Sequence, residues 1–233
     1  MVFLWLNLAS GLIILFIFLL IIILDHKNFR SDLQNIKSIV LAAILVAIAV
    51  ALNTITKVFL HSVIFEIKLG NFALVLIGFF AGGALGFLAG IAADFLGLII
   101  FSSGATILFF TLTSILWCIL PYYLVRLLSK IYTSKWTTYF YLVLTYAFTL
   151  LLITGINPIV LKYMYNLNDG WWVLYLPRII KYPLDLTVNG LALVVVYRIF
   201  TNSISLNTKI YQPERKKDKN LNLQIEQEGD MND

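Results

Sequence analysis

Two sets of side chains in this sequence have the chemistry to hold a ligand, and both sit in otherwise apolar surroundings. Arg178, Lys181, Asp185 and Asn189 fall at i, i+3, i+7 and i+11, which draws one polar stripe along a helix face. Arg and Lys at the head of such a stripe pair with carboxylates. Trp171, Trp172 and Tyr175 just before it offer rings that can stack on a flat heterocycle. The second set centres on Asp94, the one charged residue in the 57 positions from 69 to 125. It lies in the stretch from Gly78 to Gly104, which holds seven of the chain's thirteen glycines. An acid set in lipid-soluble sequence is a site candidate by its cost alone. Lys68 precedes this stretch as a further cation, and Asn157 can hydrogen-bond a heterocycle edge alongside Asp94. Each has a plainer reading. Trp171 and Trp172 suit a membrane-interface belt, Lys68 an outer-loop charge, and Asp94 a staple between helices.

Composition restricts what these groups can do. With 61% hydrophobic and 12% charged residues over 233 positions, the chain has too little polar surface for a soluble globule, and it reads as an integral helical membrane protein. The net charge of +5 does not point to nucleic acid, because six of the seventeen basic residues lie between Arg198 and Lys219, beside a membrane exit. There is no G-x-x-x-x-G-K-[ST] and no H-E-x-x-H; the two histidines are His26 and His61. A single cysteine, Cys118, provides no disulfide framework and no multi-cysteine metal site. Asp94 and Asp185 invite comparison with an aspartyl protease dyad. Neither lies in a Tyr-Asp or Gly-x-Gly-Asp setting, however, and Asp185 has Lys181 one turn away. No catalytic residue and no metal ligand is assigned, and the chain reads as a non-enzyme.

The elements that must position these residues follow from length and charge. Residues 1–24 carry no charge and are followed by Lys27, Arg30 and Lys37, so they predict an uncleaved first span with its N-terminus outside. Residues 38–56 predict a second span, with Ala43, Ala47 and Ala51 at four-residue spacing. Small residues so spaced form a flat groove, either for packing within the chain or for docking a partner. Residues 57–71 would be an amphipathic outer connection. The interval between Lys68 and Arg126 would reach about 85 Å as one helix, against a core of about 30 Å. Keeping the basic groups at 27–37, 126–135 and 198–219 on one side requires an odd number of crossings there, hence three: roughly 71–82, 85–101 and 106–127. Gly82-Gly83 and Ser102-Ser103-Gly104 would make the tight turns. Residues 136–162 predict a further span, bent or frayed near Asn157-Pro158, and 173–200 the last. Residues 201–233, basic then acidic, read as a disordered cytoplasmic tail.

From about Ala43 to Phe200 the sequence resembles the substrate-binding S components of energy-coupling factor (ECF) vitamin transporters, and among them the folate type. The central run IKLGNFALVLIGFFAGGALGFLAGIAADFLGLIIFSSG is similar to that family's basic residue, short helix, paired glycines, Asp-x-x-Gly and Ser-Gly turn. It is matched here by Lys68, Gly70, Gly78, Gly82, Gly86, Asp94, Gly97, Ser103, Gly104 and Thr111. LPRIIKYPLDL resembles the family's Arg/Lys segment through Arg178 and Lys181, and TGINP its Asn region through Asn157. Ala43, Ala47 and Ala51 match its scaffold-docking motif. The chain departs from the family at Leu108-Phe109-Phe110, where Pro-Gly is usual, and at Pro158, where Thr is usual.

The resemblance implies an all-α fold: a six-helix core over 37–200, preceded by an extra N-terminal transmembrane helix and basic linker over 1–36, for seven spans. It also implies a partner scaffold subunit, two ATPase subunits that hydrolyse ATP, no cofactor in this chain, and a vitamin bound at the outer face. In that picture Arg178, Lys181 and Lys68 hold the glutamate carboxylates, Trp171 and Tyr175 stack on the rings, and Asp94 with Asn157 read the pterin edge. An S component for another vitamin and a stand-alone secondary transporter working through Asp94 are the alternatives.

Overall fold

The computed structural model describes residues 2–25, 29, 33–59, 68–100, 107–129, 135–164 and 170–203. Its long helices are α1 (Val2–Leu24), α2 (Ile36–Phe59), α3 (Asn71–Ile100), α4 (Leu108–Leu128), α5 (Lys135–Met164) and α6 (Trp171–Ser203). All six are long and apolar enough to cross a membrane, as in a multi-pass membrane protein, and the described residues contain no strand. Residues 60–67 of the outer connection expected over 57–71, the Ser102-Ser103-Gly104 turn, and the expected tail from 204 onward lie outside the described residues, whereas 57–59 and 201–203 continue α2 and α6 as helix.

The third helix is two limbs. Gly82 has φ 87° and ψ 179°, a conformation open to glycine and closed to side chains with a Cβ, and it interrupts the helical backbone at the position where the sequence predicts a turn. Residues eight apart in one straight helix lie about 12 Å apart along the axis. A Cβ built on Gly86 instead falls 3.6 Å from the Cα of Gly78, so the chain folds back on itself. Pairing 78 with 86 about this hairpin sets residue 70 opposite 94 by count. Lys68 is indeed an electrostatic neighbour of Asp94. The first limb, 71–81, is about 16 Å long, roughly half a bilayer core. It therefore starts at the level of Asp94, six residues short of where the second limb ends.

This hairpin is the centre of the packing. Every residue from Ala73 to Phe87 is buried, which matches a sequence apolar on all sides rather than on one stripe. Glycine permits the closeness: any Cβ at Gly78 would overlap the Cys118 carbonyl oxygen of α4. On the other flank α2 buries Leu41, Ala42, Leu45, Val46, Ala49 and Val50 at helical spacing. The Asn53 side-chain oxygen accepts a hydrogen bond from the Gly70 N–H at 2.8 Å, which fixes the entry to the first limb.

The contacts also sort the helix ends. At one end the Leu108 N–H donates to Asn7 Oδ1 at 2.9 Å, bringing the starts of α1 and α4 together. At the other, Asp25 accepts hydrogen bonds from the Tyr123 hydroxyl, at 2.7 Å, and from Arg126 of α4. The hairpin turn is there too, since a Cβ on Gly83 would lie 2.9 Å from Asp25 Oδ2. Phe80 beside the turn stacks on Tyr197 of α6, and Tyr139 of α5 meets the same ring edge-on.

One expectation needs correction: Asn157-Pro158 does not fray α5, which stays helical to Met164, because Pro158 costs only one N–H and one carbonyl partner. The helices expected at 71–82 and 85–101, with a turn at Gly82-Gly83, are found as two limbs meeting at Gly82, the first too short to reach both faces of a bilayer unaided.

Candidate functional site

The inward stripe on α6 is borne out. Arg178 and Lys181 are half-buried, whereas Asp185 and Asn189 are 2% and 1% exposed. Lys181 Nζ lies 3.2 Å from Asp185 Oδ2, the i,i+4 ion pair that their spacing suggests. Between α5 and α6 above this pair is a groove of about 370 Å³, lined by Leu151, Thr154, Gly155, Tyr175, Arg178, Ile179 and Tyr182. Its volume is within the range of small-molecule sites, roughly 300–1,000 Å³.

Two tyrosines frame the groove and explain its shape. The Tyr175 hydroxyl donates to the Gly155 carbonyl at 2.9 Å, and the Tyr182 hydroxyl donates to the Ala147 carbonyl at 2.8 Å. These are two turns apart on α6 and two turns apart on α5, so they bolt the antiparallel pair while Arg178 projects between them. A tyrosine bonded at its tip presents a fixed ring face, and a guanidinium between two such faces suits a planar anionic guest. At the mouth Trp171, 43% exposed, lies 6.2 Å from the Tyr175 ring, and Lys162 Nζ sits 4.1 Å from the Trp171 ring centroid. Asn157 is on α5, two residues beyond Gly155. Its Oδ1 is enclosed and has no hydrogen-bond partner among the described residues.

Asp94 and Lys68 belong to another part of the molecule. Asp94 Oδ2 accepts a hydrogen bond from the Thr111 hydroxyl of α4 at 2.6 Å, with Lys68 and Lys57 as its charged neighbours. Asp94 thus ties the second hairpin limb to α4 near the end where α1 and α4 begin. The seven proposed ligand residues therefore divide by the helices that hold them: Lys68 and Asp94 with the hairpin, the other five on the α5–α6 seam. Asp94 and Asp185 likewise take different partners, Thr111 and Lys181.

Ala43, Ala47 and Ala51 all lie on the exposed face of α2, next to exposed Ile44 and Ile48. Packing within the chain uses the opposite face, through Ala42 and Ala49. The described residues contain no cluster of His, Cys, Asp or Glu that could hold a metal ion.

Sequence reasoning missed Tyr182, Thr154 and Lys162. The signal for Tyr182 was available: it stands seven residues after Tyr175, two turns along the face that carries Arg178. It also missed Asp25, whose neighbours Lys27 and Arg30 make it read as a flanking charge. No family model, curated protein or solved structure matches this chain.

Proposed function

We propose that the chain is the substrate-binding membrane subunit, or S component, of an ATP-driven ECF-type importer, and that it takes a folate-type vitamin from outside the cell. The observation that carries this reading is Arg178 held between two tied tyrosines in a groove sized for a small molecule. Arg178 and Lys181 supply charge for the glutamate carboxylates, and Tyr175 and Trp171 supply ring faces, while Asn157 stands behind them with its side-chain oxygen enclosed. Lys68 and Asp94 serve as a second polar station beside the short limb.

The groove faces outward if the end carrying Asp25, the hairpin turn and Arg126 is cytoplasmic, as the basic residues at 27–37, 126–135 and 198–219 require. The chain then has its N-terminus outside and makes seven passages, the short limb counted as one. The outward alanine face of α2 docks the scaffold subunit, and two ATPase subunits supply the energy; this chain holds no cofactor.

A thermal-shift screen of the detergent-purified protein against a panel of vitamins tests the ligand class. Folic acid should raise the melting temperature in a saturable way, and no response from any vitamin would sink the reading. Uptake by vesicles separates the importer from a stand-alone transporter. Transport only in the presence of the scaffold and ATPases supports the former; transport without them, abolished by Asp94→Asn, supports the latter.

A further inference from the structure

Below the groove, the α6 stripe ends in polar atoms with nothing to bond. Among the described residues, the Tyr146 hydroxyl and both side-chain polar atoms of Asn189 are enclosed and lack hydrogen-bond partners. Tyr146 is 0% exposed and Asn189 1%. Trp117 of α4 closes over the Tyr146 ring at 5.3 Å. Idle polar groups at this depth are costly, and a bound water is the usual remedy. Here each of these atoms exposes less than 1 Å². Side chains already present can supply partners by changing arrangement.

Asp185 is the side chain that can accept. Asn189 is one turn along the same face of α6, and Tyr146 on α5 is close enough to Asp185 to interact with it electrostatically. In this structure the Asp185 carboxylate is instead held by Lys181. Lys181 does not line the groove in this structure, but it is three residues from Arg178 and one from Tyr182, which do, so its flexible stem has the reach to swing from the acid below to the groove above. Withdrawing a cation from a buried acid is prohibitive when nothing replaces it. Two unused donors, the Tyr146 O–H and the Asn189 Nδ2–H, stand ready to do so.

We infer that the Lys181–Asp185 pair is an exchangeable latch: a carboxylate ligand draws Lys181 up into the groove, and Asp185 is taken over by Tyr146 and Asn189. This rests on the groove binding an anionic guest, as proposed above. Asp185, Tyr146 and Asn189 are then positioning residues that act through Lys181 without touching the ligand. The exchange moves hydrogen bonds and one ammonium group; no covalent bond forms or breaks.

The test is isothermal titration of the full chain in detergent with folic acid and with its glutamate diamide, which lacks the two carboxylates. Asp185→Asn frees Lys181 in advance and should tighten folic acid binding about tenfold while leaving the diamide unchanged. Tyr146→Phe removes one replacement donor and should weaken folic acid three- to tenfold, again sparing the diamide. A merely structural role for these residues would shift both ligands alike, and that result overturns the latch. So does folic acid binding to Asp185→Asn no tighter than to wild type. If Asp185→Asn does not fold, Tyr146→Phe decides alone, its loss being confined to folic acid or absent. Failure of the wild-type protein to bind folic acid would overturn the functional reading and the latch with it, whereas normal wild-type binding with unaltered variants overturns only the latch.

Discussion

In the half built from α1 to α4, three polar side chains have defined partners: Asp25 holds Tyr123 and Arg126, Asn53 holds the Gly70 amide, and Asp94 holds Thr111. The α5–α6 seam differs. There Tyr146, Asn157 and Asn189 keep enclosed polar atoms without partners among the described residues, and a groove opens beside Arg178. Glycine sets the first half, since close backbone approach at Gly78 leaves neither space nor polar surplus. Tyrosine sets the second, because long side chains that bond across the seam hold two helices together and still leave room between them. A close-packed body and a seam that keeps a groove are thus encoded by different residue types in one chain.

This contrast can be broken at several points. The largest effect should come from Gly78→Val, because the new side chain meets the backbone oxygen of Cys118, which cannot move aside. Overpacking of this kind should cost more than about 3 kcal/mol, read as loss of folded protein in size-exclusion chromatography. Arg126→Met should follow, at about 1–2 kcal/mol, because it leaves the enclosed Asp25 carboxylate without its cation while the exposed guanidinium side of the pair is screened by solvent. Thermal unfolding in detergent would show it, and Asp25→Asn in the same background should recover most of the loss. Smallest of all, Ala47→Leu on the exposed face of α2 should change stability by less than about 0.5 kcal/mol. It should still abolish co-purification with a scaffold subunit, and retained assembly would remove α2 as the docking face.

The positions of the helices were legible because apolar length and basic flanks are strong one-dimensional signals. The Gly82-Gly83 turn was legible because charge parity demanded a reversal and only glycine could make it so tightly. The inward stripe on α6 was readable from spacing, and so was the Lys181–Asp185 pair. Depth was not. The short first limb follows from the expected span 71–82, but that it lies against the second limb and sets Lys68 level with Asp94 depends on where Gly78 and Gly86 touch, a contact between residues that periodicity treats alike. The division of the candidate site was hidden for the same reason: Lys68, Asp94 and Arg178 are all charges set in apolar sequence, and only packing shows which helices hold them together. Asp25 was concealed by its basic neighbours, which mask a buried acid as an interfacial one.

The central claim is that the α5–α6 seam, and not the hairpin half, holds the ligand charge. Calorimetric titration of folic acid into wild type, Arg178→Ala and Asp94→Asn tests it directly. Loss of a charge-assisted contact at Arg178 should cost about 1.5–3 kcal/mol, a tenfold to hundredfold rise in Kd. Unfolding temperature should stay near wild type, and Asp94→Asn should bind nearly as well as the parent. Equal binding by Arg178→Ala, or a loss confined to Asp94→Asn, would contradict the account and move the site to the hairpin.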